Sequence, residues 1–96
     1  MQIAIPATSA SLYSLFSTDQ KTQLRAGRNS ANAYLIEIQN TSAQIFYVEK
    51  GADAVVGTSE KVDVGRTIQI RAENLNDFNV ISASGSINVS VLQLNQ

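Results

Sequence analysis

The segment from Tyr34 to Ile68 constrains this chain more than any other. It reads Tyr34-Leu35-Ile36-Glu37-Ile38-Gln39-Asn40-Thr41-Ser42, then Ile45-Phe46-Tyr47-Val48, then Val62-Asp63-Val64-Gly65-Arg66-Thr67-Ile68. Tyr34, Ile36 and Ile38 alternate with Leu35, Glu37 and Gln39, so every second side chain falls on one face, the period of a half-buried strand. Asn40-Thr41-Ser42 carries side chains that close a turn on their own backbone. The four apolar residues that follow suit an interior strand. Val62 and Val64 read as a short strand before Gly65, and Ile68, Ile70 and Ala72 face inward on the next one.

The same rhythm runs to the end. Asn74-Leu75-Asn76-Asp77 reads as a turn with one apolar anchor, and Phe78 to Ala83 as a strand. Ser84-Gly85 reads as a two-residue hairpin loop, with Gly85 free to take positive φ. Ile87, Val89 and Val91 alternate; the phase shift at Leu92 and Leu94 predicts a bulge or burial on both faces. Gly51 to Gly57 reads as a loop with Val55 and Val56 tucked down or paired. Asp19 to Ala33, polar and containing Gly27, Asn29, Ser30 and Asn32, reads as a loop too. Leu12, Leu15 and Phe16 fit one helical turn, while Tyr13 and Leu15 fit a strand face equally well. Residues 1–11 contain Pro6, which cannot donate to a ladder, so they form an edge strand or an arm. Residues 12–96 form one domain. The expected fold is all-β: a small antiparallel β-sandwich of seven or eight short strands, immunoglobulin-like or jelly-roll-like, with an N-terminal extended arm.

Composition narrows the function. Ninety-six residues make one domain. The net charge of −1 offers no basic field for nucleic acid or an anionic membrane, so neither is an expected partner. Without cysteine there is no disulfide framework and no thiol nucleophile; without histidine the commonest general base and metal ligand are missing. Met1-Gln2-Ile3-Ala4-Ile5 lacks a basic n-region and Pro6 interrupts its apolar run, which does not read as a signal peptide. Synthesis in a cytoplasm is the expectation.

The charges are unevenly placed. All seven basic and eight acidic side chains lie between Asp19 and Asp77. A solvated surface strand normally carries Lys or Glu on its outer face. The final strands instead present Asn79, Ser86, Asn88, Ser90 and Gln93. Either these strands lie centrally in a sheet with a neutral polar face, or the last strand and the N-terminal arm lie in a subunit contact, since interface cores are depleted in charge. The second reading gives contact residues Ile3, Ile5, Pro6, Asn88, Ser90, Leu92 and Leu94 in a homo-oligomer, with a trimer favoured.

No catalytic constellation competes. Glu60 with Asp63, and Glu49 with Asp53 beside a glycine loop, read as solvated loop charges rather than an acid/base pair. Asn74, Asn76 and Asp77 offer hard oxygens but not the spacing of an EF-hand, and an Asx turn accounts for them. Gly51 to Gly57 lacks the Lys-Ser/Thr ending of a phosphate loop. No catalytic residue, metal or cofactor is expected, and the protein is read as a non-enzyme.

Taken together, Ile38-Gln39-Asn40-Thr41-Ser42, Tyr47-Val48, Val64-Gly65-Arg66-Thr67-Ile68, and Leu75, Phe78, Val80-Ile81 with Ser84-Gly85 resemble the corresponding stretches of small virion proteins of tailed bacteriophages. The resemblance spans residues 8–94. Thr8-Ser9-Ala10 with Leu12 looks like that family's opening strand, and Arg28 stands where its members often carry Arg before the first sheet strand. Where they often have Leu-x-Pro-Gly-Glu, this chain lacks the Pro and the Glu. The resemblance implies a virion structural protein, in first place a capsid decoration or cement protein that binds the major capsid protein and stabilises the shell. A tail, neck or fibre-associated module that binds a host surface or another virion protein is the alternative, and a non-phage adhesion module a further one. The implied location is the capsid surface of a virion assembled in a bacterial cytoplasm.

Overall fold

A computed structural model describes residues 1–26 and 34–94, with the side chains of residues 25 and 26 left out. Among the described residues there are eight strands: β1 (Gln2–Ile5), β2 (Ala10–Ser11), β3 (Tyr34–Gln39), β4 (Phe46–Lys50), β5 (Glu60–Val62), β6 (Thr67–Ala72), β7 (Phe78–Ser82) and β8 (Ile87–Gln93). They form two four-stranded sheets, ordered β1-β8-β3-β6 and β2-β7-β4-β5, and all pairs are antiparallel. Strand 1 thus pairs with 8, 2 with 7, 3 with 6 and 4 with 5. The chain is doubled back at β4–β5, and the ribbon is rolled so that successive pairs fall in opposite sheets. This is the jelly roll, which settles the choice between the two sandwich topologies.

That topology corrects the expected hairpin at Ser84-Gly85. β7 and β8 lie in different sheets, so residues 83–86 cross from one layer to the other. Gly85 takes φ 64°, and the Ser82 hydroxyl donates to its carbonyl. Among the described strands, β4–β5 is the single consecutive pair that shares a sheet. The expected bulge at Leu92 and Leu94 is also absent. β8 keeps continuous register with β3 through Gln93↔Ile36, and Leu92 points outward, 59% exposed.

Inward side chains from both layers make one core: Ile3 and Ile5 from β1, Ile36 and Ile38 from β3, Phe46 and Val48 from β4, Val80 from β7, Val89 and Val91 from β8. Alternation along each strand supplies them. Leu12 and Phe16 bracket a 3-10 turn (Tyr13–Leu15) and are buried in the same core.

Part of the expected loop after Asp19 is helix. α1 (Thr18–Ala26) starts at a reciprocal cap: Ser17 N–H donates to Gln20 Oε1 (2.8 Å), and Gln20 N–H donates to Ser17 Oγ (3.1 Å). Ser-x-x-Gln satisfies two otherwise orphaned donors of the first turn. Buried Leu24 anchors the helix, while Gln20 Nε2 donates to Gln2 O and Gln93 Nε2 to Leu24 O, tying it to both β1 and β8. The rest of that segment, Gly27 to Ala33 with Arg28, lies outside the described residues.

One polar side chain locks the turns at one end of the sandwich. Asn40 is fully buried. Its amide nitrogen donates to Gln44 O (2.8 Å) and Val62 O (3.0 Å); its amide oxygen accepts from Ser42 N–H (3.2 Å) and Ser42 Oγ (2.7 Å). Its backbone N–H donates to Arg66 O and its carbonyl accepts from Gly65 N–H. Two residues facing one, with Gly65 at φ 83°, make a glycine bulge joined to a tight turn closed by Arg66 N–H to Asp63 O. Val64 is therefore a turn residue, 56% exposed, and not part of β5.

Candidate functional site

The two outer faces differ. On the β1-β8-β3-β6 sheet, Gln2, Ala4, Asn88, Ser90, Leu92, Leu35, Glu37, Gln39, Thr67, Gln69 and Arg71 point away from the core, the positions opposite in phase to the buried ones. Gln2, Ser90, Gln39 and Thr67 form an uncharged row across all four strands. Leu92 sits opposite Glu37, which sits opposite Gln69. The β1–β8 half of this face carries no charged side chain, and Leu92 is its one large exposed apolar group.

The other sheet is partly covered. Its outward rows run Lys61–Tyr47–Ile81 and Glu49–Asn79–Ser11. The β4–β5 loop lies over the second row: Asn79 Nδ2 donates to Ala52 O (2.7 Å), Ala54 N–H to Ser9 Oγ (2.9 Å) and Ser59 Oγ to Glu49 Oε1 (3.0 Å). Ala54 is the loop residue that tucks in; Val55 and Val56, expected to be buried or paired, are 50% and 45% exposed.

The seven expected contact residues divide accordingly. Ile3 and Ile5 are core residues, 3% and 0% exposed, because β1 pairs with β8 and turns them inward. They cannot serve as contacts while the domain is folded, and this corrects the expectation. Pro6 is half-buried where the chain crosses between sheets, its carbonyl accepting from Ser82 N–H. Asn88, Ser90 and Leu92 share the bare face. Leu94 follows β8, half-buried, with its N–H on Leu35 O. Sequence reasoning missed Gln2, Ala4 and Gln39, which the register brings beside Ser90 and Asn88. Alternation in β1 marks the first two as outward, but nothing local pairs β1 with β8.

A second feature opens between the sheets. β5 has three residues where β6 has six, and its register with β4 stops at Val48↔Glu60. Beyond that point the sandwich gapes along its β5/β6 side into a cleft of 390 Å³. Val48, Ile68, Ile70 and Phe78 give its apolar surface, with Lys50, Glu60 and Arg66 among the charged lining residues. Arg66 is held by Glu60 (3.6 Å) and by Lys61 O, and Lys50 Nζ lies 5.8 Å from the Phe78 ring centroid. Asn74 Oδ1 is occupied by Asn76 N–H, as an Asx turn requires. No group of three acidic, His or Cys side chains among the described residues is placed to hold a metal.

Fold and faces together define a small jelly-roll domain with one bare, weakly charged sheet and one open flank. No protein-family model matches the chain, and no curated protein or solved structure matches it either.

Proposed function

We propose that the protein is a bacteriophage virion structural protein, a capsid decoration or cement subunit that binds the major capsid protein as a homo-oligomer, with a trimer favoured. The observation that carries this reading is the bare face of the β1-β8-β3-β6 sheet: an uncharged row across four strands beside exposed Leu92. Burying such a face costs little charge desolvation, and interface cores are depleted in charge for that reason. The eight-stranded jelly roll is an architecture that viral shell proteins use; lectins and cupins use it too, so this support is an analogy of fold. The mechanism is multivalent clamping: each contact is weak, and an oligomer spanning several capsomers gains through effective concentration. The reading assigns no catalytic role, in keeping with a chain that lacks His and Cys.

The test is co-sedimentation with empty shells of the major capsid protein encoded nearby, for the wild type and for Leu92→Glu and Ser90→Lys. Saturable pelleting at a fixed ratio, lost in both variants with the fold retained, is the expected result. A wild type that stays in the supernatant at all concentrations overturns the capsid assignment and directs attention to the tail.

A further inference from the structure

The cleft on the β5/β6 flank is lined by two acidic and two basic side chains, Glu49, Glu60, Lys50 and Arg66, and they differ in how they are held. Its carboxylates and its guanidinium are engaged: Glu60 with Arg66, Arg66 also with Lys61 O, and Glu49 with the Ser59 hydroxyl. Lys50 has no carboxylate partner among the described residues. Its ammonium lies near Phe78, and both residues line the cleft. Behind them Val48 and Ile70 are buried while Ile68 and Phe78 are half-buried, so apolar surface is left open beside an ammonium.

We propose that this cleft binds a small carboxylate carried on an apolar acyl or aryl body. The carboxylate meets the Lys50 ammonium at the mouth, and the body lies against Ile68, Ile70 and Phe78. Four of the nine lining residues are apolar and they adjoin the Lys50 end of the cleft, and 390 Å³ lies within the usual size range of a small-molecule site. Taking the volume share of a water molecule as a guide, it admits on the order of a dozen non-hydrogen atoms. A medium-chain fatty acid fits that limit. The competing explanation is that charges at the inward-facing positions Lys50, Glu60 and Arg66 guard an open edge against strand addition. That reading accounts for a charge at position 50 of either sign, and it predicts no ligand. The proposal is independent of any role in a virion.

Titration of the uniformly labelled full-length protein with octanoate below its micellar concentration, followed by amide chemical shifts, separates the two. The expected result is saturable shifts confined to Val48–Lys50, Ile68–Ile70 and Phe78, with a dissociation constant of roughly millimolar order for so few atoms. Lys50→Glu weakens octanoate about tenfold or more and favours octylamine instead, because the charge-assisted contact is reversed. Lys50→Gln falls between, and Leu92→Glu, on the bare face, leaves octanoate binding unchanged. Lys50 is exposed, so these variants fold. Shifts that do not saturate, shifts centred elsewhere, or Lys50→Glu binding octanoate as well as the wild type would each overturn the proposal.

Discussion

The Asn40 junction and the β5/β6 flank both attach the β5–β6 segment to the rest of the sandwich, by opposite means. At the junction a neutral amide is fully buried and all its hydrogen-bonding positions are used. On the flank, charged groups meet in water: Arg66–Glu60 at 3.6 Å and Lys61–Asp63 at 3.5 Å, with all four side chains 45% exposed or more. The junction ties its end together through one side chain, while the flank leaves a cleft. A buried polar group is costly to leave unsatisfied, so a complete set of partners defines one geometry; an exposed ion pair defines little, because water replaces either partner at small cost.

Removing the Asn40 amide tests that contrast most severely. Asn40→Ala strips partners from Gln44 O and Val62 O and leaves a void, so a loss of about 3 kcal/mol is expected from urea unfolding. Asn40→Asp keeps the acceptor for Ser42 but turns the two donors into an acceptor facing carbonyls, and it should be at least as damaging. A loss below about 1 kcal/mol for Asn40→Ala would put the junction on a par with the surface pairs.

A smaller effect belongs to the backbone beside it. Gly65 holds φ 83°, and a Cβ added there meets nothing within 4 Å. Gly65→Ala therefore carries a conformational cost and no clash, about 1 kcal/mol in thermal or urea unfolding. The same turn sets different demands on its two central residues. Gly65 occupies the position that requires positive φ, whereas the preceding position, held by Val64, merely favours Pro. A cost of several kcal/mol would mean that the bulge is strained beyond its φ.

Strands and their inward faces were legible in sequence wherever alternation was clean, as in β3, β6 and most of β8. Pairing was not, because period-2 patterning marks which face a residue takes and says nothing about its neighbour. Hence Ser84-Gly85 read as a hairpin although its two strands lie in different sheets. The same gap placed Ile3 and Ile5 in an interface: an uncharged apolar strand suits a subunit contact or an intramolecular edge strand equally, and only the Ile3↔Val89 and Ile5↔Ile87 pairing decides. The start of α1 was legible and overlooked, since Ser17 and Gln20 stand at capping-box spacing ahead of Leu24. The bare face was visible as a stretch without charge, and the cleft was not visible at all. It arises from a mismatch in length between β5 and β6, and strand ends are where sequence patterns are weakest.

The smallest effect is the most instructive about the flank. Glu60→Gln removes the carboxylate opposite Arg66 and leaves its apolar stem in place. Exposed pairs of this kind contribute about 0–1 kcal/mol, so stability in urea should change by less than about 0.5 kcal/mol and less still at high salt. Arg66→Ala should cost slightly more, because the guanidinium also donates to Lys61 O. In a double-mutant cycle the coupling between positions 60 and 66 should come out at a few tenths of a kcal/mol. The pair then acts on what enters the flank rather than on whether the flank holds: with Glu60 neutralised, Arg66 becomes a second free cation lining the cleft. Octanoate should bind Glu60→Gln more tightly than the wild type while unfolding stays unchanged. Equal losses of stability and binding in that variant would instead make the ion pair a fastener of the two sheets, and the distinction between a tied end and an open flank would fail.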